Sequence, residues 1–237
     1  QFDGTGLLLW AAAEVADAAG PDVREGVIEG LDAMIMTSLS ALHTGTRGGA
    51  GLPPVSPDYW EVRERSVTLG IMAATLTGLR AGARLTGERS ARDAAETFAE
   101  LLDGTFGRTG HQRYRNGGGP DSALAFFDAT GCHDVAPPEQ LLSLRSSLAR
   151  PGGGIAPGAS WREDGVSWTP STSLLGLGLA RAGEREAASE ILRWLAAHRT
   201  EAGSLPEKVL FDGRPAEVAP LAWTAANVLL TLDELAR

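Results

Sequence analysis

A chain of 237 residues that is 43% hydrophobic can bury one sizeable core, and the lack of a composition break predicts a single domain over residues 1–237. A net charge of −9 with a pI near 5.0 argues against a nucleic-acid surface, which needs clustered Lys and Arg, and no apolar run is long enough to span a membrane. The one cysteine, Cys132, cannot make an internal disulfide, and with no signal peptide in the chain the compartment expectation leans slightly to the cytoplasm.

Residues 5–19, TGLLLWAAAEVADAA, form a nearly uncharged segment that stops at Gly20-Pro21 and predict a helix buried on all sides. From Val23 to Leu42 apolar residues recur at 23, 27, 31, 35, 39 and 42, with Arg24, Glu25, Glu29 and Asp32 on the other face, so this helix is amphipathic. The alternation continues. Segment 67–83 is apolar apart from Arg80, 121–129 is mostly apolar and 171–182 carries one charge, whereas 88–103 and 184–198 are charged and two-faced and 138–150 is mixed; 220–232 is apolar until its end. Nine helices that alternate between buried and exposed, with no convincing strand, predict an all-α toroid of helical hairpins. An irregular α-solenoid is the alternative, disfavoured because no solenoid-type repeat is visible. The long connections, 43–65, 104–120, 151–170 and 199–219, all enter a buried helix and therefore fall on one side, where binding and catalysis tend to sit.

The loop SPDYWEVRERSVTLG at 56–70 sets Trp60 beside Glu61. An indole next to a carboxylate can keep an acid neutral at pH 7, so Glu61 is read as a catalytic acid, with Glu64 as runner-up. The structural alternative makes Glu61 a helix-entry charge and Trp60 a packing residue at the rim. Asp3, in the opening QFDG, stands at the mouth of the first helix as its N-cap or as a ligand-binding group. His111, Arg113 and Tyr114 precede the Gly117–Gly119 turn, and Arg with Tyr offers a hydroxyl-rich ligand a fork of donors and a stacking face. Trp161 and Trp168 share a polar loop, one expected to pack on the scaffold and the other to serve as a sugar platform. In GSLPEKV, Glu207 lies beside Lys208, whose ammonium favours an ionised carboxylate, so Glu207 is the better base. Two carboxylates in dissimilar settings form the acid and base pattern of glycoside hydrolysis.

With QFDG at the start, YWEVRE at the centre, QRY at 112–114, SLPEKV near the end and PLAWTAA opening the last helix, the whole chain resembles the catalytic domain of glycoside hydrolase family 15, the glucoamylase-like proteins, in their bacterial form. The resemblance implies a six-hairpin toroid, to which these nine helices would contribute an N-terminally incomplete part. It also implies an inverting, exo-acting hydrolase that releases terminal α-linked glucose from a glucan, an oligosaccharide or a trehalose-like disaccharide. Carried over position by position, it makes Glu61 the general acid and Glu207 the general base. Asp3 and Arg113 become ligands of the innermost sugar, with Trp60 and Trp223 as walls of that subsite. Where the family usually shows an acidic, Tyr-rich segment after QRY, Arg115-Asn116 leads straight to Gly117, which leaves the sugar and linkage open.

No cofactor or metal is expected, because the four histidines are scattered and no H-E-x-x-H or paired-Cys spacing occurs. The expected partner is an oligosaccharide or small glycoside. Two other readings stand beside this one: a non-catalytic sugar-binding relative, and a toroid polysaccharide lyase that would use Tyr114 with His111.

Overall fold

The expected helices form close to their expected places. In the computed structural model, which describes residues 1–237, they are α1 (Asp3–Ala18), α2 (Pro21–Gly45), α3 (Leu69–Thr86), α4 (Arg89–Thr105), α5 (Leu124–Ala129), α6 (Pro138–Ser147), α7 (Thr169–Arg181), α8 (Arg185–Ala197) and α9 (Ala222–Ala236). Their ends obey local chemistry. α2 begins with Pro21 in its first turn, where the missing N–H costs nothing. α3 is capped by the Thr68 hydroxyl, which accepts from the Ile71 N–H, and stops at Gly87 in the left-handed region at φ 68°. No helix is long and apolar enough to cross a membrane.

The chain divides into two units, Gln1–Thr109 with Tyr114–Asn116, and Gly110–Arg113 with Gly117–Arg237. The first is built around α3, buried continuously from Leu69 to Leu79, against which α1, α2 and α4 pack. α4 turns Ala91, Ala94, Ala95, Phe98 and Leu102 inward and its charges outward. α1 and α3 meet at glycines. A Cβ on Gly6 would stand 1.9 Å from the Ala74 carbonyl oxygen, and one on Gly78 would stand 2.4 Å from the Gly6 Cα.

The second unit repeats the plan around α7, buried from Thr169 to Ala180 and covered by α5, α6, α8 and α9. Gly178 lets α7 approach Ala125 of α5, and Gly176 accepts the Ile191 side chain of α8.

Two helices differ from expectation in what they bury. α1 is not covered all round: Gly6, Leu9, Ala12, Ala13 and Ala16 are buried, whereas Leu8, Ala11, Val15 and Ala18 form an exposed stripe, because α2 and α3 reach only one side. In α9 the buried positions are the polar Thr224, Asn227 and Thr231, while Ala222, Ala226, Leu229 and Leu232 face solvent. Hydrogen bonds explain the inversion. Thr224 Oγ1 lies 2.8 Å from Thr169 Oγ1, and the Asn227 amide oxygen, turned toward α7, accepts from Ser173 Oγ at 3.1 Å and the Leu174 N–H at 3.3 Å.

The expectation of no strand is also corrected. Three two-residue strands, β1 (Ser167–Trp168), β2 (Lys208–Val209) and β3 (Pro215–Ala216), make a small antiparallel sheet in the order β1-β2-β3. Trp168 pairs with Lys208, and Lys208 with Ala216. Ladders this short leave no alternation to read in a sequence.

The α1–α3 contact yields a stability prediction. Gly6→Ala should destabilise the chain by about 1–3 kcal/mol, because the new methyl meets backbone that cannot rotate away. In the same helix Gly4 has open space within 4 Å, so Gly4→Ala should be neutral or mildly stabilising. Chemical denaturation of the two variants checks the contrast.

Candidate active site

In the first unit the candidate loop, 56–70, is organised by a residue that sequence reasoning passed over. Asp58 is completely buried, and its Oδ1 accepts from the Trp60 N–H at 3.0 Å while its Oδ2 accepts from the Thr68 hydroxyl at 2.7 Å. Its carbonyl oxygen accepts from the Glu61 N–H at 2.8 Å and from Gln1 Nε2 at 3.2 Å. One aspartate thus closes a turn over Trp60 and Glu61 and ties that turn to the cap of α3. The signal was in the sequence, since an Asp two residues before the turning position is an Asx-turn pattern.

The clamp holds Glu61 at φ 57°, a conformation that non-glycine residues rarely adopt and that structure elsewhere must enforce. Trp60 is buried, its ring edge-on to Tyr59 at 6.5 Å, whereas Glu61 is exposed. The carboxyl is therefore open to solvent and not enclosed by the neighbouring indole as expected. Glu64 is half-buried and accepts a hydrogen bond from the Tyr114 hydroxyl at 2.9 Å.

Asp3 is the first residue of α1 and 6% exposed. It does not cap the helix in the usual way, since Phe2 holds that position; its Oδ1 accepts from the Gly4 N–H at 2.8 Å. Burial, with the negative charge of Asp58 adding to it, raises the Asp3 pKa above 3.8 against the lowering effect of the Gly4 hydrogen bond.

The second unit carries the other carboxylate. The Glu207 N–H donates to the Val218 carbonyl at 2.8 Å and its own carbonyl accepts from the Thr169 N–H at 3.0 Å, which fixes the residue between the sheet and the start of α7. Lys208 Nζ lies 3.9 Å from Glu207 Oε1, so the expected ammonium is in place. The same Nζ is 3.8 Å from Glu217 Oε1 and 4.5 Å from the centre of the Trp168 ring. Glu217, at φ 63°, is a second member of this group that sequence reasoning missed.

Trp161 and Trp168 pack edge to face with centroids 5.2 Å apart, and both remain partly exposed. Each already carries a cation on its ring, Arg162 over Trp161 at 5.0 Å and Lys208 over Trp168. Trp223 is stacked on Phe126 at 6.4 Å, and its Nε1 donates to the Asn227 amide oxygen at 3.1 Å.

Arg113 differs most from expectation. Its side chain and that of Asp121 are both 0% exposed, and Nη1 donates to Asp121 Oδ2 at 2.8 Å. Asp121 Oδ1 accepts from the Ala123 N–H at the entrance to α5, and the Arg113 N–H donates to the Gly119 carbonyl. The pair therefore pins the glycine turn to the helix, and the guanidinium is not an open donor fork. His111 is buried, with Nδ1 donating to Gln140 Oε1 at 3.0 Å. With Tyr114 bonded to Glu64, neither residue is placed as a free lyase acid or base.

No family model matches the chain, and no characterised protein matches it in sequence. Among solved structures the chain is similar to a wild-type glycosidase, with a TM-score of 0.77 at 24% identity over the whole of this chain and 67% of that one. It is similar to a single-residue variant of a glycosidase with a TM-score of 0.73 and the same identity and coverage. A D-mannose isomerase aligns with a TM-score of 0.63 at 10% identity, over 98% of this chain and 72% of that one. At these identities the likeness is one of fold.

The raised pKa of Asp3 has a definite sign for stability. A folded-state value above 3.8 means that the proton is held more tightly in the folded chain. Its stabilisation is complete below the unfolded value and lost as pH rises through the folded one. At neutral pH the ionised carboxylate is therefore a cost, and Asp3→Asn should raise the melting temperature at pH 7. That advantage should shrink as pH falls toward 3.8; melting curves of both proteins across this range check it.

Proposed function

We propose that the chain is the catalytic part of an inverting, exo-acting glycoside hydrolase that removes terminal α-linked glucose, with Glu61 as general acid and Glu207 as general base. The observation that carries the reading is the pair of built carboxylate settings. Glu61 is held at positive φ by a buried aspartate, and Glu207 is anchored on both sides by backbone hydrogen bonds next to an ammonium. The glycosidase-like fold supports it.

In this mechanism Glu61 donates its proton to the glycosidic oxygen as the bond to the anomeric carbon breaks. Glu207, ionised, takes a proton from the water that attacks the opposite face, so an α-linked substrate releases the β-anomer. Glu61 is exposed, so its carboxyl is open to a glycosidic oxygen. Asp3 would accept hydrogen bonds from sugar hydroxyls, with Trp60 and Trp223 as apolar walls and Trp161 or Trp168 as a platform. Arg113 would act through the turn that it holds, and Tyr114 through Glu64. The reading also makes the chain part of an (α/α) toroid whose further helices cover the exposed stripes of α1 and α9; the exposed Leu8, Val15, Leu229 and Leu232 support that.

Substrates are found by screening maltose, isomaltose, trehalose and an aryl α-glucoside. On an unactivated disaccharide Glu61→Gln should lower kcat/KM by roughly 100-fold or more, the usual size of a general-acid contribution. Its effect on α-glucosyl fluoride should be much smaller, because fluoride departs without protonation. Glu207→Gln should slow both. Loss of turnover in Glu64→Gln but not in Glu61→Gln would move the acid to Glu64, and an α-anomer as first product by NMR would remove the inverting mechanism. A sugar-binding relative without turnover would bind these ligands and show no hydrolysis in any variant.

A further inference from the structure

We propose that the tip of the β2–β3 hairpin is an outer carbohydrate subsite, in which Phe211 stacks on a sugar of the leaving-group side of the substrate and Asp212 with Arg214 hydrogen-bonds its hydroxyls. The proposal rests on the hydrolase reading above and adds a position that the catalytic residues do not require.

Phe211 is 67% exposed, the one aromatic among the large exposed hydrophobic residues. The two loop indoles of this unit each have a cation over the ring, but no ring or cation packs on Phe211. An exposed phenyl ring loses hydrophobic stabilisation that a sugar's apolar face would restore. A Cβ on Gly165 would lie 3.9 Å from Phe211 Cβ, so the neighbouring loop passes the root of this side chain at a residue that has no side chain of its own.

The tip is also rigid and polar in the way a sugar site needs. The Leu210 N–H donates to the Arg214 carbonyl at 2.9 Å and the Gly213 N–H to the Leu210 carbonyl at 3.0 Å, with Gly213 at φ 85° turning the chain. Asp212 Oδ2 accepts from Arg214 Nε at 2.7 Å, and Oδ1 accepts from the Arg214 N–H at 3.2 Å. A carboxylate and a guanidinium are thus paired on the turn that carries Phe211, and both keep spare acceptors and donors for hydroxyl groups. Little conformational freedom remains to be lost on binding.

Reach decides which sugar the tip can hold. Phe211 is four positions beyond Glu207, and a strand rises about 3.3 Å per residue, so the two backbones are at most about 13 Å apart. That bound lies within the length of a short oligosaccharide. Under the exo-acting reading the attacked position holds one sugar, so any further sugar within this reach belongs to the leaving-group side.

Comparing two substrates tests this. Maltotetraose has sugars on the leaving-group side, and α-glucosyl fluoride has none. Phe211→Ala should lower the ratio of kcat/KM on maltotetraose to kcat/KM on the fluoride by about tenfold, and Phe211→Tyr should restore most of it. An unchanged ratio in Phe211→Ala overturns the subsite. If the wild-type chain hydrolyses neither substrate, the hydrolase reading has failed and the subsite is decided by binding. Amide NMR shifts at Asp212 and Gly213 that saturate with maltotetraose and vanish in Phe211→Ala sustain it. Their absence in the wild type overturns it.

Discussion

In both units the helices that carry the core meet backbone to backbone. Gly6 and Gly78 bring α1 and α3 so close that neither tolerates a Cβ, and Gly178 brings α7 to van der Waals distance of Ala125. Dispersion and apolar burial both grow steeply as helices approach, so a seam of small residues can stabilise as well as bulky side chains would. The cost is conformational, since glycine within a helix loses about 0.5–1 kcal/mol relative to alanine. Burial of α3 and α7 along most of their length offsets it, and each of these helices is the fixed frame of its own unit, from which that unit's candidate loops leave.

Those loops are ordered by buried acids. Asp58 ties the Trp60–Glu61 turn to the first turn of α3, and Asp121 ties the glycine turn to the start of α5 through Arg113. A buried ion pair adds little net stability, but removing one partner typically costs about 3–5 kcal/mol. Such a pair is therefore poor glue and a good registration device: it allows the loop one position and penalises the others. Placing it at the root of a candidate site is consistent with a requirement for precise geometry.

Much of this arrangement was legible in the sequence, for reasons that also explain what was not. Nine helices could be read because α2, α4 and α8 keep a polar face, and because α3 and α7 run uncharged for about three turns. The orientation of α9 could not, since its buried face is made of Thr224, Asn227 and Thr231, and the α7 partners of Thr224 and Asn227 lie some fifty residues away. Lys208 was expected to sit near Glu207 and does, but its second contact, with Glu217, comes from a strand pairing too short to leave a pattern. The positive φ of Glu61 was not expected either, because the residue that imposes it acts through backbone hydrogen bonds.

Asp3 and Asp58 show how the cost of a site can be located. Both are buried, yet their surroundings treat them unequally. Asp58 is answered by the Trp60 N–H and by the hydroxyl of Thr68, the residue that caps α3, so both of its carboxylate oxygens have a donor. Asp3 receives only the Gly4 N–H from its surroundings and feels the charge of Asp58 in addition, so burial raises its pKa. A carboxylate kept out of water with most of its acceptor capacity unused is a net cost to the folded chain. The protein could remove that cost by an amide or an apolar residue, and its presence at the mouth of α1 is intelligible if something else supplies the missing donors. Sugar hydroxyls are such donors. Under the proposed reading the energy withheld from stability at Asp3 becomes available to hold a substrate, which is the general reason that functional sites are seldom the most stable part of a fold.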